Sequence, residues 1–171
     1  MKKTNNYDYA KFERILNAAI EVIGKKGYHE AKIRDISEIA DVAEGTIYNY
    51  FTNKKDILVS IFKVKLDEYT KLANNELEKT DNPVEKIKIL INYHFKFMCE
   101  NPNLAQVFQV QLRKNDPDIR EKLKGDLKNY FTVIDNVIID GVNKGVFKKN
   151  INIHLAREMF FGTLNEVVIN W

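Results

Sequence analysis

One short stretch of the sequence carries polar side chains suited to contacting a nucleic-acid duplex. Residues 44–49 read EGTIYN, and on a helix the polar members of this stretch face away from Ile47. Thr46 and Asn49 can hydrogen-bond base edges, and the Tyr48 hydroxyl can reach a phosphate. Gly45 has no side chain, so the helix backbone can come close to the duplex at this point. The stretch is therefore a candidate groove-reading surface.

Two short helical segments must position this surface. The apolar spacing predicts helices over residues 34–40 and 44–50, each too short to be stable alone in water. Small side chains at Ser37 and Ala40 allow two helices to cross closely around a short turn, as in a helix-turn-helix. A preceding helix with an apolar face, ended by Gly27, supplies the support. We predict a compact three-helix unit.

The rest of the chain contains several sequence signals that predict the start of a helix. Asn or Asp precedes each of the three prolines, at positions 82, 101 and 116, and an Asn or Asp side chain followed by Pro favours the first turn of a helix. Asn53 and Asn152 predict two further starts, and Gly145 predicts a left-handed helix end. The fold class expected is all-α. The last apolar pattern is still running at Trp171, so we expect the protein to be cut short or a terminal helix to be missing.

The composition of the chain excludes several classes of protein. The chain has 171 residues, 44% hydrophobic and 30% charged, with seven Gly and three Pro, which excludes a disordered or collagen-like chain and disfavours a turn-rich β-sandwich. The net charge of +3 is too small to indicate a nucleic-acid ligand by itself. A lone Cys99, no apolar leader and no long apolar run predict a cytoplasmic protein that does not span a membrane.

Residues 11–58 resemble the TetR family of bacterial repressors. The resemblance rests on Ala18-Ala19 to Gly27-Tyr28, on IRDI at 33–36, and on GTIYNYF at 45–51 followed by Lys54 and DIL at 56–58. Asp41 replaces the usual turn glycine, and Asp tolerates a left-handed backbone. Ala31 replaces a frequent Ser or Thr cap, and Lys32 is expected to substitute for its phosphate contact. The resemblance implies DNA contacts by Lys32, Arg34, Glu44, Gly45, Thr46, Tyr48, Asn49 and Lys54, with Tyr48 and Lys54 mainly on phosphates.

The remainder of the chain resembles the FadR-like, fatty acyl-CoA-responsive branch of that family. The match is carried by VQLRKN at 110–115 and by FFGTLNE at 160–166 with Trp171. It implies a long acyl tunnel whose occupation releases DNA. Arg113 could receive a CoA phosphate, or it could be a rim residue paired with Asp116 or Asp118. The ligand-contacting residues expected are His94, Phe95, Phe108, Arg113, Tyr130, Phe131 and Phe160, although most aromatics are expected to be core and His94 a satisfied polar group of the core or pocket.

We therefore predict an effector-controlled repressor that binds a palindromic DNA operator as a homodimer. The domains expected are a helix-turn-helix domain at 1–53 and a helical ligand-binding and dimerisation domain at 54–171. Apolar side chains and one small residue on the last two long helices predict the dimer interface, namely Ile134, Ile138, Gly162, Leu164, Val168 and Trp171.

Other function classes remain as alternatives. The effector could be another hydrophobic small molecule, or the chain could be a helical lipid carrier that binds no DNA. No cofactor is expected. His154 and Glu158 have the spacing of two metal ligands on one helix face, but two ligands do not make a zinc site. No phosphate-binding glycine loop or spaced nucleophile and base supports an enzyme.

Overall fold

The computed structural model is built of α-helices throughout the residues it describes, which are 8–113 and 116–170; of residues 109–113 and 169 it describes the backbone alone. This confirms the predicted all-α class. In chain order the helices are α1 Tyr9–Lys26, α2 Ile33–Ala40, α3 Glu44–Ile47, α4 Lys54–Leu77, α5 Pro83–Cys99, α6 Pro102–Arg113, α7 Pro117–Asn143 and α8 Ile153–Ile169. No helix in this described part has both the length and the apolar character to cross a membrane.

The predicted helix starts are confirmed by their capping bonds. The Asn53 side chain accepts from the Asp56 N–H, and the Asn82 side chain accepts from the Val84 and Glu85 N–H groups. Asp116 and Asn152 cap α7 and α8 in the same way, and Asn101 Oδ1 accepts from the Leu104 N–H at 3.1 Å. Each cap satisfies a first-turn donor that has no partner within its own helix.

The amino-terminal three helices pack around a shared apolar centre. Ile15, Ile36, Ile47 and Phe51 are all buried there. Asp41 has φ +51°, the left-handed conformation expected at the turn between α2 and α3. Helix α3 is shorter than predicted, because after Ile47 the backbone continues in tighter turns whose N–H groups bond three residues back.

Close packing joins α1 to α6, and ion pairs join the following helix α4 to α7. A Cβ at Gly24 of α1 would lie 2.7 Å from Asn103 Cα and 2.8 Å from Asn103 O, so α1 and α6 touch backbone to backbone. Lys55 Nζ, at the start of α4, lies 3.2 Å from Asp116 Oδ2 and 3.1 Å from Asp118 Oδ2 at the start of α7. These hydrogen bonds raise the pKa of Lys55.

The apolar core continues between α4, α5, α7 and α8, and its residues correct part of the predicted dimer interface. Ile134 and Ile138 of α7 and Leu164 of α8 are buried within the chain itself. They stabilise this core by removing apolar surface from water, so they supply no apolar surface to a second copy.

Candidate DNA-binding surface and effector pocket

The polar side chains of residues 44–49 face outward. Glu44, Gly45 and Asn49 are exposed, Thr46 is half-buried, and Tyr48 is 55% exposed. Ile47 is completely buried and anchors α3 on the core. No atom outside the local backbone lies within 4 Å of a Cβ built on Gly45, so the helix surface there is open. The arrangement leaves a polar ridge that can enter a groove, as the predicted contacts require.

Two of the predicted basic contacts lie at the start of α2. Lys32 is exposed and precedes the first turn, where its N–H donates to Asp35 Oδ2 at 3.1 Å. The Arg34 side chain is exposed and its Nε lies 2.9 Å from Glu38 Oε1. Both side chains can reach a phosphate by rotating in solvent, since an exposed ion pair contributes little to hold Arg34 in place.

The structure gives Lys54 a role different from the predicted phosphate contact. Its ammonium donates to the backbone carbonyls of Tyr28, His29 and Ala31 at 2.6, 3.1 and 2.7 Å. It also lies 4.7 Å from the centre of the Tyr28 ring. An ammonium has three donors, and here all three are used to hold the loop between α1 and α2. Sequence spacing alone did not reveal this, because the loop meets α4 only after folding.

Ala31 lies in the same loop and is buried, so it packs in the core and offers nothing to a phosphate. Lys55 is likewise engaged by the two carboxylates of α7 described above. The basic pair after α3 is therefore structural in this conformation.

The helical body encloses an apolar cavity of about 20 Å³. Its walls include three residues predicted to contact a ligand, His94, Phe108 and Tyr130, together with Tyr69, Phe97 and Phe161. Burial raises the pKa of Tyr130 well above its usual value, because the phenolate would be desolvated. The cavity holds about one water molecule and is far too small for an acyl chain in this conformation.

Two wider hollows lie beside this cavity. Leu127 and Phe161 line both the cavity and a neighbouring hollow of about 210 Å³, which also borders Phe131 and Arg120. That hollow adjoins a surface groove of about 650 Å³. The three spaces therefore lie side by side, from a small apolar cavity to a wide and more polar surface groove.

The open groove carries a basic ridge that our sequence reasoning missed. Arg120, Lys124 and Lys128 line it, and their four-residue spacing places them on one face of α7. That spacing was the available signal. Glu121 also lines the groove, with Oε1 3.8 Å from Lys124 Nζ. Arg157 of α8 also lines the groove, with Nη1 2.8 Å from Asp135 Oδ2 and its guanidinium 4.9 Å from the Phe131 ring centre.

The remaining predicted ligand residues are placed less favourably. Phe95 and Phe160 are half-buried and line neither the cavity nor the groove. The side chain of Arg113 lies outside the described residues. Asp116 and Asp118, its alternative predicted partners, bind Lys55.

The exposed face of α8 carries apolar side chains together with the exposed polar residues Glu158, Thr163 and Glu166. Met159 is 65% exposed, Leu155 and Val167 are also exposed, and Gly162 lies between them. Val168 is half-buried against the core, and Trp171 lies outside the described residues. Leu155, Met159 and Val167 were not predicted for the interface, although their spacing along α8 carries the signal.

The two candidate metal ligands on α8 form only a long surface contact with each other. His154 Nε2 lies 4.0 Å from Glu158 on an exposed face. Among the described residues, no group of three or more His, Cys, Asp or Glu side chains could hold a metal ion.

Comparison with known proteins places these features in a family. Residues 15–61 match the family model of bacterial regulatory proteins of the tetR family, and residues 62–171 match the C-terminal region of YsiA-like protein. The chain is 37% identical over 161 residues to the fatty acid metabolism regulator protein of Bacillus subtilis (strain 168), covering 94% of this chain and 83% of that protein.

Solved structures agree with this placement. The fatty acid degradation regulator FadR of Bacillus halodurans is 39% identical, with a TM-score of 0.90 over 100% of this chain and 86% of that one. FadR of Bacillus subtilis in complex with stearoyl-CoA is 37% identical, with a TM-score of 0.89 over 94% of this chain and 86% of that one. The chain therefore belongs to the tetR family of bacterial regulatory proteins, and it is a transcriptional regulator rather than an enzyme.

Proposed function

We propose that this protein is a repressor that binds a palindromic DNA operator as a homodimer and releases it when a long-chain fatty acyl-CoA binds. The observation that carries the DNA-binding part is the exposed polar ridge of α3, held by a buried Ile47. The effector is inferred from the stearoyl-CoA bound by the Bacillus subtilis relative. The domains proposed are 1–53 for DNA and 54–171 for effector and dimer.

On DNA, the α3 ridge lies in the major groove. Thr46 and Asn49 face base edges, Gly45 and Glu44 border the groove, and Tyr48 donates to a phosphate. Lys32 and Arg34 bind phosphates from the start of α2. Each phosphate contact by a cation releases counterions, so these two side chains set much of the salt dependence of binding.

In the effector domain, the acyl chain occupies the apolar cavity, enlarged on binding, and CoA occupies the neighbouring surface groove. The apolar walls at Phe108 and Phe161 suit a hydrocarbon. The basic ridge at Arg120, Lys124 and Lys128 suits the CoA phosphates. Because the cavity is so small, an acyl chain enters only if α4, α5, α7 and α8 move apart, and this movement couples effector binding to DNA release.

The dimer forms through the exposed face of α8. Leu155, Met159 and Val167 lose apolar surface to water when a second copy covers them. Gly162 on the same face permits close approach of two helices. The dimer must then place its two α3 ridges about 34 Å apart to reach successive turns of one DNA face.

The test begins with an operator selected from random-sequence duplexes by the purified protein. Binding is followed by fluorescence anisotropy at several salt concentrations, with and without stearoyl-CoA. We expect stearoyl-CoA to weaken operator binding. Binding that ignores stearoyl-CoA would remove the effector assignment, and absence of any selected duplex would favour a lipid carrier.

Matched variants separate the two sites. Lys32→Gln and Arg34→Gln should each lower the slope of log affinity against log salt by about 1. Lys71→Gln, whose exposed side chain lies on α4 beside Asp67, is the control and should leave the slope unchanged. Lys124→Gln with Lys128→Gln should weaken stearoyl-CoA binding without changing operator affinity in its absence.

A further inference from the structure

The cavity in the helical body contains one polar group that the apolar walls leave without a partner. His94 of α5 is 1% exposed, and its Nε2 atom has no hydrogen-bond partner among the described residues. Burial lowers the pKa of His94 to about 4, because the cation would lose its water, so the ring is neutral at physiological pH.

The surroundings of His94 are mostly apolar, and the amide of Asn165, which also lines the cavity, donates to the Phe161 carbonyl at 3.0 Å. The cavity is walled by Leu66, Phe97, Met98, Phe108 and Phe161, and the Phe161 ring centre lies 6.4 Å from that of His94. The two nearby phenols, Tyr69 and Tyr130, hydrogen-bond to each other. Lys65 also lines the cavity, and its ammonium lies 2.7 Å from Glu68 Oε2. The prediction that His94 is a satisfied polar group is therefore corrected at Nε2, while its place in the pocket agrees with the prediction.

A plain hydrocarbon chain is a poor match for this group. The cavity has room for one water molecule, which can bond Nε2 when no acyl chain is bound. A saturated chain that enters would displace that water and leave Nε2 desolvated and unbonded. A buried polar group in that condition costs free energy comparable to a lost hydrogen bond.

We propose that His94 makes the pocket selective for acyl groups that carry a hydroxyl on the chain, over saturated chains of the same length. This rests on the proposed function, in which the cavity takes the acyl part of the effector. A hydroxyl both donates and accepts, so it pairs with neutral imidazole whichever tautomer Nε2 adopts. Sites built to hydrogen-bond a ligand hydroxyl discriminate strongly against the analogue that lacks it, because the protein's own polar group is then left unpaired.

The experiment compares stearoyl-CoA with a set of hydroxystearoyl-CoA isomers in which the hydroxyl is moved along the chain. Isothermal titration calorimetry measures the affinity of each for the full chain. We expect at least one isomer to bind the wild type roughly 5- to 10-fold more tightly than stearoyl-CoA, as one added hydrogen bond implies.

Variants at the same position assign the preference to His94. His94→Leu and His94→Met remove the polar group and should abolish the preference, while stearoyl-CoA binding is kept or strengthened. His94→Gln keeps a donor and acceptor near Nε2 and should retain part of the preference. Scanning calorimetry of each variant reports folding, and the wild-type comparison stands by itself if an apolar variant does not fold.

Two results would overturn the proposal. One is that no isomer binds the wild type more tightly than stearoyl-CoA, which would leave Nε2 served by a trapped water in every state. The other is the same preference in His94→Leu and wild type. Failure of the acyl-CoA function itself is distinguishable, because then neither stearoyl-CoA nor any isomer binds.

Discussion

Replacing Lys54 by Ala tests whether this residue holds the protein together or holds DNA. The substitution removes the three bonds to the carbonyls of Tyr28, His29 and Ala31 and the contact with the Tyr28 ring. The bonds to Tyr28 and Ala31 are partly buried, and that to His29 is exposed.

The expected cost follows from this difference in burial. A hydrogen bond to a charged group contributes about 1.5–3 kcal/mol, less when solvent competes. We therefore expect Lys54→Ala to lower the free energy of unfolding by about 3 kcal/mol, or Tm by roughly 6–12 °C for a chain of this size. Lys54→Arg should recover only part of the loss, since a planar guanidinium does not match three carbonyls around one nitrogen.

Calorimetry and DNA titration together decide the question. In the structural role, the Tm falls while the salt slope of operator binding by the folded protein is unchanged. Lys32→Gln is the matched control, with the opposite pattern of an intact Tm and a lower slope. A Lys54→Ala variant with wild-type Tm and a slope reduced by about 1 would refute the structural assignment and restore the phosphate contact.

Three further predictions concern the junction, the buried histidine and the dimer. Gly24→Ala should lower the free energy of unfolding in urea by about 1–3 kcal/mol, because the new Cβ meets the Asn103 backbone. Gly125→Ala, which has open space around it, should stabilise α7 by about 0.5–1 kcal/mol. Equal effects of the two substitutions would contradict the close contact at Gly24. The pKa of His94 is about 4 in the folded protein and near 6.5 in the unfolded chain, so the unfolded chain takes up a proton first as the pH falls. The free energy of unfolding should therefore drop by on the order of 3 kcal/mol between pH 6.5 and pH 4. His94→Leu should lack this part of the loss. Met159→Lys should shift the protein toward monomer in sedimentation velocity, while the exposed α4 control Leu72→Lys should not; a monomeric wild type would refute the α8 interface.

The fold was predictable from the sequence because its signals are local. A capping side chain such as Asn82 or Asp116 acts on N–H groups two or three residues away, so proline and its predecessor mark a helix start without tertiary information. The outward face of α3 was predictable for a related reason, since one buried residue, Ile47, fixes the direction of its neighbours.

The residues whose roles were predicted wrongly depend on contacts that form only when distant parts of the chain pack together. Lys54 and its three carbonyl partners are more than twenty residues apart, and Lys55 and Asp118 are 63 apart, so neither pairing leaves a trace in local spacing. Ile134 and Ile138 were assigned to a dimer because an apolar side chain has the same pattern whether it is covered by its own chain or by a second copy. Only the packing of α7 against α4 and α5 decides between these.

Under the proposed function, the small volume of the cavity explains how effector binding would reach the DNA-binding helices. A packed core does not yield by compression, so a chain inserted beside Phe108 and His94 has to shift whole helices. Helix α6 carries Phe108 and also touches Gly24 of α1 backbone to backbone, and α4 begins at the lysine that holds the loop before α2. The Lys55 ion pairs tie the start of α7 to the start of α4. Movement of α4 or α6, or of α7 through α4, is therefore passed to the unit that carries α3. In the proposed mechanism, a tilt that alters the separation of two such units is sufficient to lose a paired operator site.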